Sequence, residues 1–98
     1  MAETLQLEVD GSRWKTEEDF YRAILSALHA PDWHGHNLDA LNDSIQGGDL
    51  NGRNPPLMIT IFGSQTMGRD AERIARRFMS LCDDLAKEGI QIETALAI

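Results

Sequence analysis

Two carboxylates stand four residues apart in the segment 33–44, whose sequence is WHGHNLDALNDS. An α-helix advances about 100 degrees per residue, so Asp39 and Asp43 share one face of a helix over this segment, in a polar stripe with Asn42 and Gln46. The interaction of a first-turn carboxylate with the helix dipole explains Asp39 taken alone. It does not explain Asp43, because like charges at this spacing are mildly destabilising. The pair is therefore a candidate binding site for cationic groups.

The charges around this segment have one sign. No Lys or Arg occurs between Arg22 and Arg53, and the same interval contains Asp32, Asp39, Asp43 and Asp49. The whole chain has a net charge of -7, which also serves solubility. Binding of nucleic acid needs clustered Lys and Arg to neutralise phosphates. We therefore expect a basic protein as the partner and no direct contact with nucleic acid.

The residues give little support to catalysis. A metal site is suggested by three histidines and two carboxylates: His29, His34, His36, Asp32 and Asp39. Their spacing matches no zinc motif, and we expect His34 and His36 to line a surface loop. Acid–base catalysis by Asp39 and Asp43 needs a cleft and a raised pKa, of which the sequence gives no sign. Cys82 lies among the apolar residues of a helix, where a small buried side chain is expected. We expect neither an enzyme nor a metal or other cofactor.

The strands that position the acidic segment follow from the apolar pattern. Residues 4–9 and 90–98 alternate as strands do, and residues 57–62 form the nearly continuous apolar run of a central strand covered on both faces. Strands separated by helices pair in parallel through right-handed crossovers. The sequence therefore predicts an α/β fold in which a small three-stranded parallel sheet is packed with helices.

Capping residues predict where the helices begin and end. A first helix begins at Thr16, an N-cap with Asp19 at the third position after it. Asn37 is a suitable N-cap for a second helix that runs to about residue 46. A third helix covers residues 69–87 and stops at Gly89. The apolar residues expected in the core along these helices are Phe20, Ile24 and Leu28, then Leu38, Leu41 and Ile45, then Ile74, Phe78, Leu81 and Leu85.

The third helix carries its charges against the helix dipole. Its first half contains Arg69, Arg73, Arg76 and Arg77, and its end contains Asp83, Asp84 and Glu88. Asp84 and Glu88 form a second acidic patch if this helix lies beside the second one. The alternative is a solvated helix face in which Arg76 and Arg77 pair loosely with the acidic end.

We expect a single domain over residues 1–98, because 98 residues with 42% apolar content suit one core. One cysteine permits no internal disulfide, and the first residues lack the basic and apolar stretches of a secretory signal. No apolar run reaches membrane-spanning length. These features predict a cytoplasmic protein that makes no membrane contact. We also expect the free protein to be a monomer.

Residues 31–43, with the sequence PDWHGHNLDALND, closely resemble the signature of the barstar family of intracellular ribonuclease inhibitors. The Gly-x-Asn-Leu-Asp-Ala-Leu core over residues 35–41 is specific, and the order of strands and helices agrees over nearly the whole chain. The resemblance implies a single barstar-like domain. It also implies a mechanism in which the second helix and the loop before it occlude the active site of a basic ribonuclease, with carboxylates in place of substrate phosphate.

The resemblance assigns roles to residues of the acidic segment by position. It implies that Asp43 is the central carboxylate, which meets the catalytic Arg and His side chains of the nuclease, and that Asp39 is its companion. The loop residues that would contact the nuclease are Trp33, Gly35 and Asn37.

The resemblance extends to the third helix and also shows departures. Asp84 and Glu88 resemble acidic positions at the edge of the family's interface. Asn42 stands where barstar has a Trp, and the family's next interface Trp has no counterpart near residues 47–48. The loop before Pro55 is a few residues longer.

Three functions are consistent with these features. The first is an inhibitor or immunity protein for a basic ribonuclease or nuclease toxin. The second is a barstar-like acidic protein-binding module for a basic partner that is not a nuclease, which the loss of aromatic residues favours. The third is a metal-dependent enzyme that uses His34, His36 and Asp39. The signature and the acidic segment favour the first.

Overall fold

The computed structural model describes residues 3–31, 34–47 and 55–98. In this part of the chain the elements are β1 (Leu5–Asp10), α1 (Glu17–Ala27), α2 (Leu38–Gly47), β2 (Leu57–Phe62), α3 (Arg69–Lys87) and β3 (Ile92–Leu96). The strands form one three-stranded parallel sheet, so the predicted α/β fold is confirmed. The helices in these residues include none with the length and apolar character that crossing a bilayer requires.

The helices cover only one face of the sheet. The strand order is β1-β2-β3, and two right-handed crossovers that advance in the same direction place their helices on the same side. In β2 the helix side carries the buried residues Leu57, Ile59 and Ile61, and the other side carries Met58, Thr60 and Phe62, of which Phe62 is 37% exposed. The expectation that this strand is covered on both faces is therefore wrong.

A capping box fixes the start of α1, as the sequence predicts. The Oγ1 atom of Thr16 accepts a hydrogen bond from the backbone N–H of Asp19 at 3.2 Å. In return, the Asp19 carboxylate accepts from the backbone N–H groups of Lys15 at 2.8 Å and Thr16 at 3.2 Å. These hydrogen bonds hold the pKa of Asp19 below its ordinary value.

The connection from α3 to β3 is longer than the apolar pattern indicates. Gly89 has φ +101°, which a residue without a Cβ adopts at no steric cost, and the N–H of Ile90 donates to the carbonyl of Leu85 at 3.0 Å. These two features place residues 89 and 90 in a turn. The last strand therefore begins at Ile92 and ends at Leu96, rather than covering residues 90–98.

The core lies between the helices and the covered face of the sheet. Phe20 is at its centre and makes edge contacts with the rings of Trp14, Tyr21 and Phe78, at centroid distances of 5.7, 5.1 and 5.5 Å. Every helix residue that the sequence places in the core is buried, except Leu38 and Leu81, which are partly buried. Cys82 is buried too, and this burial together with the field of Asp83 raises the pKa of its thiol to about 12.

Candidate functional site

The acidic helix α2 is positioned by its cap and its buried side. The Oδ1 atom of Asn37 accepts a hydrogen bond from the backbone N–H of Ala40 at 2.7 Å, so the predicted N-cap is confirmed. Leu41 and Ile45 are buried in the core, and α2 packs against α3. With this side fixed, the opposite side of α2 faces outward.

The outward side of α2 is the polar stripe that the sequence predicts. Asp39 and Asp43 are exposed, and neither side chain forms a hydrogen bond or an ion pair with any residue that the structure describes. Asn42 is half-buried, and its Oδ1 atom accepts a hydrogen bond from Nε2 of Gln46 at 3.0 Å. The two carboxylates are therefore open to a partner, whereas the Asn42 amide is engaged within the helix.

His34 joins the loop before α2 to the helix. The prediction that it lines a surface loop is wrong, because the side chain is buried. Its Nδ1 lies 2.9 Å from the carbonyl oxygen of Gly35, and its Nε2 lies 2.7 Å from Oγ of Ser44. A carbonyl oxygen only accepts, so Nδ1 carries the proton in the neutral ring, and the Ser44 hydroxyl donates to Nε2. The sequence feature that could have indicated a buried His34 is Ser44, a polar residue between the two apolar positions Leu41 and Ile45.

His36 joins the same loop to α1. Its Nδ1 lies 2.6 Å from a carboxylate oxygen of Glu18, and its ring stacks on Tyr21 at a centroid distance of 6.3 Å. His36 is exposed, as expected of a surface loop. With His34 bound to α2 and His36 bound to α1, residues 34–37 are held from both sides.

Gly35 is a glycine because the backbone passes close to the cap. A Cβ atom at this position would lie 3.0 Å from Nδ2 of Asn37 and 3.2 Å from Cβ of Ala40. Both distances are shorter than ordinary van der Waals contact, so a side chain at residue 35 would press on the N-cap of α2. The residue is exposed, which leaves its backbone accessible to a partner.

A cleft of about 240 Å³ opens beside the first turn of α2. It is lined by Glu17, Tyr21, Asn37, Leu38, Asp39, Ile74 and Arg77. Burial raises the pKa of Tyr21, the field of Glu17 raises it further, Arg77 opposes this change, and Asp39 adds to it. Arg77 of α3 therefore lies within electrostatic reach of the cleft around Asp39. The field of one sign expected from the interval between Arg22 and Arg53 is corrected here, because the Arg77 cation comes from a distant part of the chain.

The acidic end of α3 is exposed but does not line this cleft. Asp84 is exposed on α3, and Glu88 is its C-cap residue. The sequence predicts a joint acidic patch only if α2 and α3 are adjacent, and the two helices do pack together. The α3 residues at the cleft are, however, Ile74 and Arg77. The ion pairs along α3 are Arg76 with Glu72 at 2.9 Å and Arg73 with Asp70 at 3.7 Å, not pairs with the acidic end. An interface role for Asp84 and Glu88 stays a prediction.

The hypothesis of a metal site has no support from this geometry. Both ring nitrogens of His34 are used by Gly35 and Ser44, and Nδ1 of His36 is used by Glu18. Across residues 3–31, 34–47 and 55–98, no three His, Cys, Asp or Glu side chains form a group that could hold a metal ion. Trp33, the predicted aromatic contact of the loop, lies outside the described residues.

Comparison with known proteins shows the family of this chain. A search of curated proteins finds no match. The family model described as barstar (barnase inhibitor) matches residues 4–97, a range that contains the acidic helix, the loop before it and every strand of the sheet. The chain therefore belongs to the barstar family of barnase inhibitors.

Proposed function

We propose that this protein inhibits a basic ribonuclease or nuclease toxin by occluding its active site with α2 and residues 34–37. The observation that carries the proposal is the pair of exposed carboxylates Asp39 and Asp43, which have no ion-pair partner among the described residues. Like charges one helical turn apart cost roughly 0.2–0.5 kcal/mol in a free helix. A cationic surface offsets this repulsion, because each carboxylate is attracted to the positive charges of the partner.

The proposed mechanism is the replacement of substrate phosphate by carboxylate. A ribonuclease holds RNA through cationic side chains, and carboxylates accept the same charge-assisted hydrogen bonds from Arg, Lys and protonated His as phosphates do. Asp43 is in the middle of α2, and Asp39 is in its first turn beside the Tyr21 cleft. We assign Asp43 to the catalytic cations of the nuclease and Asp39 to a neighbouring cation.

Residues 34–37 support inhibition because contacts within the free protein already hold them. His34 fixes the loop to α2 through Ser44, and His36 fixes it to α1 through Glu18. Each rotamer-rich side chain that an interface immobilises costs about 0.5–1.5 kcal/mol, so groups already held in the free protein lower the cost of association. In this proposal Gly35 offers its exposed backbone to the nuclease, and Asn37 contributes through the cap that holds α2.

We also propose a cellular location for this protein. An inhibitor of this kind acts as a monomer in the cytoplasm, where it protects cellular RNA from a nuclease before that nuclease leaves the cell or after it enters. The chain has one cysteine and therefore no internal disulfide, which agrees with a reducing compartment.

The alternative is an acidic binding module for a basic protein that is not a nuclease. The observation that favours it is Asn42, which is half-buried and hydrogen-bonded to Gln46 where barstar has a Trp. Trp residues dominate binding energy at many interfaces, so this face of α2 has lost an anchor.

An inhibition titration separates the two functions. The purified protein is titrated into barnase and into the basic ribonucleases of the host organism, with fluorogenic RNA as the substrate. Inhibition that reaches completion at one inhibitor per enzyme supports the first proposal. If no ribonuclease is bound or inhibited, and a pull-down from the host recovers a basic protein that is not a nuclease, the alternative is supported. Binding of a ribonuclease without loss of its activity, measured by calorimetry, would contradict occlusion of the active site.

A further inference from the structure

The helices leave one face of the sheet uncovered, and the residue types on this face differ from strand to strand. We call it the open sheet face and define it by Gln6, Glu8 and Asp10 of β1, Met58, Thr60 and Phe62 of β2, and Glu93 and Ala95 of β3. All eight are exposed or half-buried. Within the described residues, no helix packs on this side of the sheet.

Apolar and acidic residues are sorted by strand on the open sheet face. The central strand contributes Met58 and Phe62, and the carboxylates stand on the outer strands. In the register of the sheet, Glu93 is the neighbour of Met58, and Asp10 is the neighbour of Phe62. The result is two apolar contacts along β2, separated by Thr60, with Glu8 and Asp10 on one side and Glu93 on the other.

The charge on this face is uncompensated by its own residues. None of the eight side chains that define the open sheet face is a Lys or Arg. The Asp10 carboxylate accepts a hydrogen bond from the N–H of Ser12 at 2.9 Å and lies within the field of Arg13, at one end of the face. Glu8 and Glu93 make no such contact with any described residue and are open to a cationic partner.

We infer that the open sheet face is a second protein-binding surface, which accepts an amphipathic helix whose apolar stripe is flanked by Lys or Arg. The outer strands stand about 10 Å apart across β2, close to the roughly 10–12 Å diameter of a helix with its side chains. Met58 and Phe62 are separated by about 13 Å along the strand, a length that about nine helical residues span. A helix along β2 places its apolar stripe on these two residues and its flanking cations beside Glu8 and Glu93.

Charge excludes the pairing of two open sheet faces from two copies of this chain. Two open sheet faces packed together would bring Glu8, Asp10 and Glu93 of each copy into one interface without an added cation. Like charges facing each other across an interface are strongly unfavourable. The surface also lies on the side of the sheet opposite the helices, so its use does not depend on the proposed inhibition by α2.

The test uses a synthetic peptide and no nuclease. An 18-residue helix of Leu and Lys, with Leu confined to one face, is titrated into the ¹⁵N-labelled protein at about 0.15 M salt. We expect saturable amide shift changes centred on residues 58–62. The double variant Glu8→Gln/Glu93→Gln should weaken binding about fivefold, in line with two exposed ion pairs. The matched double variant Asp70→Asn/Asp83→Asn, at two exposed positions of α3, has the same net charge and should bind within about twofold of wild type.

Several results would overturn the inference. Shift changes confined to α2, no saturable binding, or equal weakening by the two double variants would show general attraction to an acidic protein. A peptide of the same composition with Leu distributed around the helix should bind more weakly, and equal binding would also contradict the proposed apolar contact. Sedimentation that shows dimers lost on Phe62→Ser substitution would assign the face to a second copy instead.

Discussion

The Nε2 atom of His34 lies 2.7 Å from the Oγ atom of Ser44, and these two side chains are 7% and 9% exposed. They form a buried polar contact on the side of α2 that also carries the core residues Leu41 and Ile45. Buried polar groups are tolerated when each one has a hydrogen-bond partner. The carbonyl oxygen of Gly35 is the partner of the other ring nitrogen of His34, Nδ1. The contact sets the position of the loop relative to α2.

The His34–Ser44 contact should therefore have a measurable effect on stability. Ser44→Ala leaves a buried ring nitrogen without a partner, and we expect the free energy of unfolding to fall by about 1–3 kcal/mol. Urea denaturation of the wild type and the variant provides the measurement. The double variant His34→Phe/Ser44→Ala should lose less than the sum of the single variants, because no unpaired group remains. Additive losses would contradict a direct contact.

The cleft around Tyr21 predicts a titration that needs no partner. Tyr21 is the only tyrosine, so the absorbance change near 295 nm reports its ionisation alone. Its pKa should lie above the ordinary value of 10.0, chiefly because of burial. Asp39→Asn should lower this pKa and Arg77→Gln should raise it, since the two groups act on the phenolate with opposite signs. Asp43→Asn serves as the control. Identical titration of all four proteins would show that Asp39 and Arg77 do not share the cleft.

Burial of Cys82 predicts a loss of stability at alkaline pH. The folded pKa of about 12 stands above the ordinary value of 9.0, so the unfolded chain releases the thiol proton first. The contribution is complete below pH 9 and is lost as the pH rises from there toward 12, with a slope of at most about 1.4 kcal/mol per pH unit. Urea denaturation of the wild type and Cys82→Ala between pH 8 and 10.5 should show the wild type losing stability relative to the variant. A constant difference would contradict the raised pKa.

The sequence predicts local features of this fold well because their causes are local. The Thr16 capping box and the Asn37 cap depend on residues three positions apart, and the structure contains both. The periodic apolar residues of the helices likewise predict most of the core. The two carboxylates of α2 follow from the same periodicity, so their common exposed face could be derived before any coordinates.

The features that sequence reasoning missed depend on contacts between distant residues. An apolar run such as Leu57–Phe62 does not show how many faces of a strand are covered, because that depends on the direction of the crossovers. Arg77 reaches the Asp39 cleft from a helix far along the chain, so a scan for local charge could not find it. The buried position of His34 depends on Ser44, whose polarity inside an apolar stripe was the only indication.

The acidic end of α3 predicts a change in association rate. If Asp84 and Glu88 lie at the edge of the interface, Asp84→Asn/Glu88→Gln should slow association with the nuclease and leave dissociation nearly unchanged. Stopped-flow measurements should show the difference at low salt and lose it at high salt, because the Debye length falls from about 10 Å at 0.1 M to about 3 Å at 1 M. The matched control Glu8→Gln/Glu93→Gln removes the same charge from the open sheet face. Equal association rates for both double variants would mean that Asp84 and Glu88 form only a solvated helix face.

The most direct test of the proposed inhibition is the inhibition constant of Asp43→Ala against a ribonuclease that the wild type inhibits. A carboxylate desolvated against catalytic cations leaves those charges unpaired when it is removed, at a cost of about 3–5 kcal/mol. We therefore predict that the inhibition constant rises by at least about 100-fold, whereas the control Glu8→Gln stays close to wild type. A rise below about fivefold, or an equal rise for both variants, would contradict the assignment of Asp43 as the residue that occupies the active site.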